Sequence, residues 1–245
     1  PDTGRVYAVL EQPDLVRYET DGSRSLEYAI PLAYADDGGE HPLVKSAEEL
    51  FREMAADPRG DYVLTEDLDA SAVPDSAAAV AGTFSGTLDG NGYRILNLKT
   101  SLFETLNGAE IRDLVIEKAA VTAGRRGILA DYIRGNSAIE QVFLVDSSIA
   151  NGVDGMGAFA GELTDSVIRK SASLNGSVKG LVAAGGLVGK TGAGAIMEDC
   201  YVTGKVEGTY NHPSLGSRAG GIAGWHGGGV IRRCYSAVQI IAPEK

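Results

Sequence analysis

The stretch GGLVGKTGAGAIMEDCYVTG, residues 185–204, returns in altered form as GGIAGWHGGGVIRRCYSAVQ at residues 220–239. Each copy has an apolar pair between glycines, then a glycine-rich connection, then a segment in which apolar and polar residues alternate. Alternation with period two is typical of β-strands, and glycine between strands is typical of turns. The recurrence predicts a chain built from stacked copies of one short β unit.

The same unit can be followed back to residue 111. Its first strand begins with an apolar residue and carries apolar or small residues three and five positions later. The first column is Ile111, Ile139, Ile168, Met197 and Ile231; the second is Leu114, Val142, Ser171, Cys200 and Cys234; the third is Ile116, Leu144, Ser173, Val202 and Ser236. Members of the second column are 28, 29, 29 and 34 residues apart, the last interval being lengthened by extra residues near 210–213. A fourth column in the other half of the unit is Leu129, Phe159, Leu187 and Ile222.

These units fit an all-β chain folded as a right-handed parallel β-helix, with about 28–29 residues per coil. One unit cannot bury its apolar side alone, but stacked units form a continuous core. Helical solenoids are excluded because the units are rich in glycine, valine and isoleucine, and a propeller blade needs more residues than one unit supplies. Glycine is expected at the corners, where the backbone bends and can need a positive φ.

The repeats divide the chain into residues 1–60, expected to hold N-terminal strands and a capping helix, and residues 61–245, expected to form the β-helix. Val6–Leu10 and Leu26–Ile30 have strand patterns. The helix is predicted after Ser46, which forms a capping box with Glu49. Its apolar stripe is Leu50, Phe51 and Met54. Nothing after Ile241 resembles a cap, so the coil is expected to be truncated at its C-terminus.

One strand register is open at residues 168–178. Either Ser171 and Ser173 or Ala172 and Leu174 face the core, because a slip of one residue exchanges the two faces of a strand. The alignment of Ser171 with Cys200 favours the inward orientation of Ser171.

Composition excludes several functional classes. The 245 residues carry a net charge of −11, which argues against nucleic-acid binding and against contact with an anionic membrane. No apolar run is long enough to span a bilayer. Acidic residues are concentrated in the first half: residues 1–110 hold 21 acidic and 8 basic side chains, against 12 and 14 in residues 111–245.

The two cysteines, Cys200 and Cys234, occupy the same position in successive coils. Neighbouring strands lie ~4.8 Å apart, within the range that a disulfide tolerates. Packed free thiols and a bridge between coils are both compatible with this placement.

Aromatic residues supply the candidate binding site. Tyr201 and Tyr235 follow the cysteines, so they should point outward and stack. With Trp225 and His226 they can form a patch for a protein or glycan partner. The patch is completed by Tyr210 and His212, in the segment that lengthens the last unit. The alternative is an aromatic ladder that only stabilises neighbouring coils.

Two groups of residues resemble known families. Gly186–Gly189 and Gly221–Gly224, each followed by a segment like Met197–Gly204, resemble the GLUG motif. The stretch from Phe84 to Leu106 is similar to the N-terminal region of family M26 zinc metallopeptidases, the streptococcal-type immunoglobulin A1 proteases. The similarity extends from about Val44 to Ile241.

This resemblance implies a secreted or wall-attached Gram-positive hydrolase. It also implies a downstream catalytic domain that binds zinc through a His-Glu-x-x-His helix, and a large protein substrate, with immunoglobulin A as the candidate. The histidines of this chain are His41, His212 and His226, and none belongs to such a motif. The chain itself is therefore expected to hold no catalytic residue and no cofactor, and to serve as a scaffold or substrate-recognition region. The alternative hypothesis is a GLUG-repeat surface adhesin without a protease. A third hypothesis is a glycan-active β-helix enzyme, but such enzymes need clustered carboxylates, and no carboxylate recurs at the coil spacing.

Overall fold

A computed structural model describes residues 17–18, 24–25, 46–122, 124–210 and 218–241. The strands expected at Val6–Leu10 and Leu26–Ile30 lie outside these ranges. The first described elements are two short antiparallel strands, β1 (Arg17–Tyr18) and β2 (Arg24–Ser25).

A single helix, α1 (Ala47–Ala56), lies among the described residues, at the predicted place. Ser46 is its N-cap, and the Ser46 side chain accepts a hydrogen bond from the Glu49 N–H at 3.2 Å. The buried face consists of Ala47, Leu50, Phe51 and Met54. This face joins the same apolar core as the first coils, and α1 packs against the strand at Val80–Phe84. The helix therefore covers apolar residues of the first coils, as expected of a cap.

All remaining described elements are short strands, and they pair in parallel, in contrast to β1 and β2. The strands before the first complete repeat are β3 (Asp61–Val63), β4 (Leu68–Asp69), β5 (Val80–Phe84), β6 (Thr87–Asp89), β7 (Arg94–Leu96) and β8 (Phe103–Asn107). The next ten are β9 (Glu110–Glu117), β10 (Ala120–Val121), β11 (Ala130–Arg134), β12 (Ala138–Val145), β13 (Ser148–Ala150), β14 (Met156–Gly157), β15 (Ala160–Leu163), β16 (Val167–Arg169), β17 (Ala172–Gly180) and β18 (Ala183–Gly185). The last seven are β19 (Val188–Thr191), β20 (Ile196–Glu198), β21 (Tyr201–Gly208), β22 (Arg218–Gly220), β23 (Ala223–His226), β24 (Val230–Arg232) and β25 (Tyr235–Ile241).

The strands form three parallel sheets, so the chain is a parallel β-helix as predicted; its right-handed sense stays a prediction. A fourteen-stranded sheet contains β9, β12, β17, β21 and β25. A six-stranded sheet runs in the order β23-β19-β15-β11-β8-β5, and a three-stranded sheet in the order β14-β18-β22. Three successive coils contribute to the three-stranded sheet, and the backbone hydrogen bonds run between coils.

The predicted columns are the observed register. Ile111 pairs with Ile139, Ile139 with Ile168, Ile168 with Met197, and Met197 with Ile231. In the other half of the coil, the Ala130 N–H donates to the carbonyl of Phe159, and the Phe159 N–H donates to that of Leu187. The spacing of 28 or 29 residues is thus one turn of the coil. The longer last turn places residues 209–217 between β21 and β22, where the preceding coil has only residues 181–182.

Residues with a positive φ explain why inward side chains of the first strand occur at its first column and then three and five residues later, rather than at every second residue. One residue in each coil, directly before the second column, has a positive φ and interrupts the alternation of faces. These residues are Asp113, Gln141, Lys170, Asp199 and Arg233, with φ between 49° and 54°. A second corner column is Lys118, Asp146, Asn175 and Gly204. Glycine was expected at such corners, but side-chain-bearing residues occupy most of them, at a cost of about 1–2 kcal/mol each.

The glycines of the repeat meet a different need, which is close approach of backbones. A Cβ on Gly186 would lie 2.1 Å from the carbonyl oxygen of Gly221 in the next coil, and one on Gly185 would lie 1.9 Å from the carbonyl oxygen of Val188. Neither glycine has a positive φ. The glycines that flank Leu187 therefore allow two coils to pack backbone against backbone.

At residues 168–178, where the sequence left two strand registers possible, Ser171 faces the core, which is the orientation that its alignment with Cys200 favoured. Ser171 is fully buried; its hydroxyl accepts from the Val142 N–H at 3.1 Å and donates to the Arg169 carbonyl at 2.8 Å. Ala172 and Leu174 instead belong to a separate apolar cluster with Val115, Phe143 and Val145. Tyr201 packs against this second cluster.

Candidate functional surfaces

The predicted tyrosine stack is present. Tyr201 and Tyr235 are paired in register between β21 and β25, and their ring centroids lie 5.3 Å apart with an interplanar angle of 11°. Tyr201 is half-buried, whereas Tyr235 is 53% exposed because it belongs to the last described coil. The pair continues the outward column that begins with Val115, Phe143 and Ala172.

Trp225 marks a second surface, on the six-stranded sheet. It lies in register with Lys190, which in turn lies in register with Glu162. The guanidinium carbon of Arg218 lies 4.4 Å from the Trp225 ring centroid, a cation–π contact of about 0.5–1 kcal/mol at such an exposed site. A pocket of about 220 Å³ beside the ring is lined by Glu162, Lys190, Thr191, Trp225 and Gly227. This volume is below the ~300–1,000 Å³ of typical small-molecule sites, so the surface suits a side chain of a larger partner better than a free ligand.

The structure does not gather the six predicted aromatic and histidine residues into one patch. Tyr201 and Tyr235 lie in the fourteen-stranded sheet, whereas Trp225 and His226 lie on β23 in the six-stranded sheet. His226 Nδ1 lies 2.8 Å from Thr191 Oγ1. Tyr210 follows β21, and its N–H donates to the Leu181 carbonyl. His212 lies outside the described residues. The binding role of all six stays a prediction.

A ladder of alternating charge runs along the outside of the fourteen-stranded sheet, and sequence reasoning missed it. Its members are paired coil to coil in the order Asp89, Arg112, Glu140, Arg169, Glu198 and Arg232. Ion pairs of 2.9 Å join Arg112 to Asp89 and of 2.6 Å join Arg169 to Glu140, and Arg232 pairs with Glu198. The signal was available, because the residue after each first-column position alternates in sign. Like charges in neighbouring coils would oppose stacking, so the alternation favours this register.

Arg232 belongs to this ladder, and Arg233 follows it at a left-handed corner. Both side chains are more than half exposed, and both contact acids of the preceding coil. Arg233 Nε donates to Asp199 Oδ1 at 2.5 Å, and this hydrogen bond holds the pKa of Asp199 below its usual range. These exposed pairs contribute about 0–1 kcal/mol each and mainly set the alignment of coils.

Asp113 is the described carboxyl with the most unusual environment. It occupies a left-handed corner beside the ladder, and its pKa is raised to about 6. Burial is the main cause of the raised pKa. The carboxylates of Asp89 and Glu140 raise the pKa further, and the guanidinium of Arg112 lowers it. A raised pKa means that the folded chain prefers the protonated carboxyl. This contribution to stability is complete below about pH 4 and is lost as the pH rises through about 6.

We expect Asp113→Asn to stabilise the chain only at neutral pH. Asparagine tolerates a positive φ and mimics the neutral carboxyl at every pH. The melting temperature of the variant should be about 2–4 °C above that of the unsubstituted chain at pH 7.5 and equal to it at pH 4. Thermal melts followed by circular dichroism across this pH range measure the difference. Asp146→Asn, at another left-handed corner, is the control; an equal gain from both variants, or a gain for Asp113→Asn at pH 4, would contradict the explanation.

Among the residues that the structure describes, no three His, Cys, Asp or Glu side chains converge as a metal site requires. His226 is engaged with Thr191, and His41 and His212 are outside the described ranges. The zinc implied by the family resemblance therefore finds no fitting ligand set here. No helix in the described part of the chain is both long and apolar enough to cross a membrane.

Comparison with known proteins now decides the family. Residues 2–145 match the model of the M26 IgA1-specific metallo-endopeptidase N-terminal region, and residues 180–207 match the GLUG motif. The chain belongs to the M26 N-terminal family. Both resemblances seen in the sequence are thereby confirmed.

Several relatives of this M26 N-terminal region are streptococcal proteases. An immunoglobulin A1 protease of Streptococcus pneumoniae strain R6 is 31% identical over 200 residues, which covers 76% of this chain and 10% of the relative. Zinc metalloprotease ZmpC of Streptococcus pneumoniae serotype 4 is 30% identical over 177 residues, covering 69% of this chain and 9% of the relative. The chain thus spans only about a tenth of the length of these relatives.

Two solved structures share the fold of the M26 N-terminal region. One is an IgA1 protease, with a TM-score of 0.59 and 23% identity over 80% of this chain and 19% of the other. The second is a putative immunoglobulin A1 protease from Bacteroides ovatus, with a TM-score of 0.62 and 23% identity over 78% of this chain and 65% of the other. At this identity the likeness concerns the fold alone.

Proposed function

We propose that this chain is a non-catalytic, rod-like recognition region of a longer M26-type zinc peptidase that is secreted or attached to the cell surface. The observation that carries the proposal is the parallel pairing that continues from coil to coil between β3 and β25, with local register shifts at Val80/Thr83 and Ser173/Gly176. A stack held by hydrogen bonds between all neighbouring coils has no hinge within it. Such a body holds outward side chains at fixed spacings and suits positioning better than chemistry.

The recognition surface that we propose consists of Trp225 with Arg218, and of the tyrosine stack. Trp225 is 48% exposed and Tyr235 is 53% exposed, so both rings are accessible on the last described coil. Tryptophan, tyrosine and arginine are the residue types that dominate protein–protein binding energy. The pocket beside Trp225 offers both a cation, Lys190, and an acid, Glu162, at its wall. A large protein is the partner that fits these features.

Immunoglobulin A is the candidate protein, because the relatives are named immunoglobulin A1 proteases. The catalytic zinc would lie in a downstream domain of the same chain. The last described coil also exposes apolar side chains, which form a candidate contact surface. These are Val230 at 49%, Ile231 at 37% and Ile240 at 50%. Exposed apolar surface beside open strand edges is the kind of surface that another part of a chain covers.

Binding of purified immunoglobulin A1 to the immobilised 245-residue chain tests the recognition role. We expect binding that is weakened about tenfold or more by Trp225→Ala, because loss of a central aromatic contact typically costs more than about 1.4 kcal/mol. Ile240→Ala, which removes an equally exposed apolar side chain outside the proposed surface, is the matched control and should leave the affinity unchanged. Immunoglobulin G serves as the control ligand.

Three outcomes would overturn the proposal. Equal binding of immunoglobulins A1 and G would remove the proposed substrate. Chelator-sensitive cleavage of immunoglobulin A1 by this chain alone would show that it is catalytic. An open reading frame without a His-Glu-x-x-His motif downstream would favour the alternative of a GLUG-repeat adhesin.

A further inference from the structure

Cys200 and Cys234 are adjacent across two coils. Each directly follows a left-handed corner residue, Asp199 or Arg233, and each directly precedes one of the stacked tyrosines. The strands that begin at these tyrosines pair in parallel register. Neighbouring strands lie ~4.8 Å apart, and disulfides accept Cα separations of about 4.4–6.8 Å. The general spacing of neighbouring strands thus falls within the range that a disulfide bridges.

The two sulfurs also point in the same direction. Cys200 Sγ lies 3.2 Å from the Glu198 carbonyl oxygen and 3.5 Å from that of Ile168 in the preceding coil. Cys234 Sγ repeats this arrangement, at 3.3 Å from the Arg232 carbonyl oxygen and 3.5 Å from that of Met197. The Cys234 sulfur is therefore directed toward the coil that carries Cys200. Both cysteines are free thiols in the structure.

The two thiols differ in access and in acidity. Cys200 is only 2% exposed, whereas Cys234 is half-buried because it lies in the last described coil. Hydrogen bonding from Cys200 is the main reason that the pKa of Cys234 is lowered to about 7, although burial and Asp199 oppose this. The same interaction and burial raise the pKa of Cys200. Cys234 is thus the thiol that ionises and meets solutes first, and Cys200 is the thiol placed to react second.

We propose that Cys200 and Cys234 form a redox-active dithiol that is oxidised by small-molecule disulfides to a covalent link between coils. The Cys234 thiolate attacks one sulfur of a disulfide such as glutathione disulfide and expels one thiolate. The Cys200 sulfur then attacks the Cys234 sulfur of the mixed disulfide, forms the inter-coil bond and releases the second thiol, which takes up the Cys200 proton. The protein loses two electrons and two protons, and the small disulfide is reduced to two thiols.

The consequence is a link that closes the chain between residues 200 and 234. This loop includes residues 209–217 and the whole turn of coil that carries Trp225. In the reduced chain, this coil is joined to the preceding one by the parallel pairing of β23 with β19, β24 with β20 and β25 with β21. Oxidation would fix it to the preceding coil and raise the midpoint of thermal unfolding by roughly 5–10 °C.

Incubation of the whole chain with glutathione disulfide at pH 7.5, followed by intact-protein mass spectrometry, tests the proposal. We expect the parent chain to lose about 2 Da, without a lasting glutathione adduct. Cys200→Ser should stop at the mixed disulfide on Cys234, and Cys234→Ser should remain largely unmodified. Both variants should fold, because Ser171 occupies the same column and makes the same contact with the carbonyl two residues before it. Circular dichroism checks this for each variant.

The differences between the variants make the test decisive. Persistence of two free thiols in the parent chain, or a stable glutathione adduct that Cys200 does not resolve, would overturn the proposal. Equal adduct formation by Cys200→Ser and Cys234→Ser would overturn the assigned order of attack. Immunoglobulin binding is measured separately, so the redox result and the recognition result can fail independently.

Discussion

Truncation of Phe159 to alanine is expected to lower the free energy of unfolding by about 3–5 kcal/mol. Phe159 is fully buried and belongs to the column that includes Leu129 and Leu187. Its removal leaves a cavity in the middle of the stack, where the neighbouring coils hold each other apart and cannot collapse into the space. Urea unfolding followed by circular dichroism measures the loss.

The position of Phe159 also predicts a change in cooperativity. A solenoid is stabilised by contacts between nearest neighbours, so a weak central coil should broaden the unfolding transition or divide it into two. Phe159→Leu should cost about 1 kcal/mol, since it keeps most of the buried volume. Ile240→Ala, at a side chain that is 50% exposed, should cost less than the leucine variant. Similar losses from Phe159→Ala and Ile240→Ala would show that the column is not the core.

Adding one methyl group at Gly186 should be nearly as damaging, with a loss of about 3 kcal/mol and a fall of roughly 6–12 °C in melting temperature. The Cβ of Gly186→Ala would lie 2.1 Å from the Gly221 carbonyl oxygen and 3.0 Å from Val202 Cγ2. The first contact is with backbone of the next coil, so relief requires separation of the two coils. Thermal melts under the same buffer conditions measure the change.

Gly152→Ala is the matched control for this substitution. A Cβ on Gly152 meets nothing within 4 Å, and its φ lies outside the left-handed region. The substitution should be neutral or stabilise the chain by about 0.4–1 kcal/mol, because alanine restricts the unfolded chain. If Gly186→Ala were tolerated as well as Gly152→Ala, close approach would not be the reason for glycine at the GLUG position.

The repeat columns show how far the amino-acid sequence alone leads. Ile111, Ile139 and Ile168 recur at the coil period, and an apolar side chain that recurs with that period must be buried between neighbours. The α1 helix could likewise be predicted, since Ser46 and Glu49 are a local capping signal and Leu50, Phe51 and Met54 form a local stripe. Both predictions rest on patterns that can be read in the linear sequence, a constant interval in the first case and a local capping signal and stripe in the second.

The candidate surfaces were predicted only in part. The stack of Tyr201 on Tyr235 follows from the column order, but the separation of these tyrosines from Trp225 depends on which sheet each strand joins. The expectation of glycine at the corners was met only in part. Nine glycines in the described part of the chain have a positive φ, but so do Asp113 and Lys170, which are held between neighbouring coils. Local preference is overridden where neighbouring coils restrict the backbone from both sides.

The sequence by itself determined the unit, its period, the inward columns and the parallel β-helix, because burial of apolar side chains at a constant interval leaves few other architectures. Only the tertiary structure decided which ion pairs the charge ladder forms, the backbone contact at Gly186 and the direction of the Cys234 sulfur toward the coil of Cys200. These contacts join atoms about one coil apart along the chain. Their geometry depends on how neighbouring coils pack against each other, and the sequence of one coil does not specify that packing.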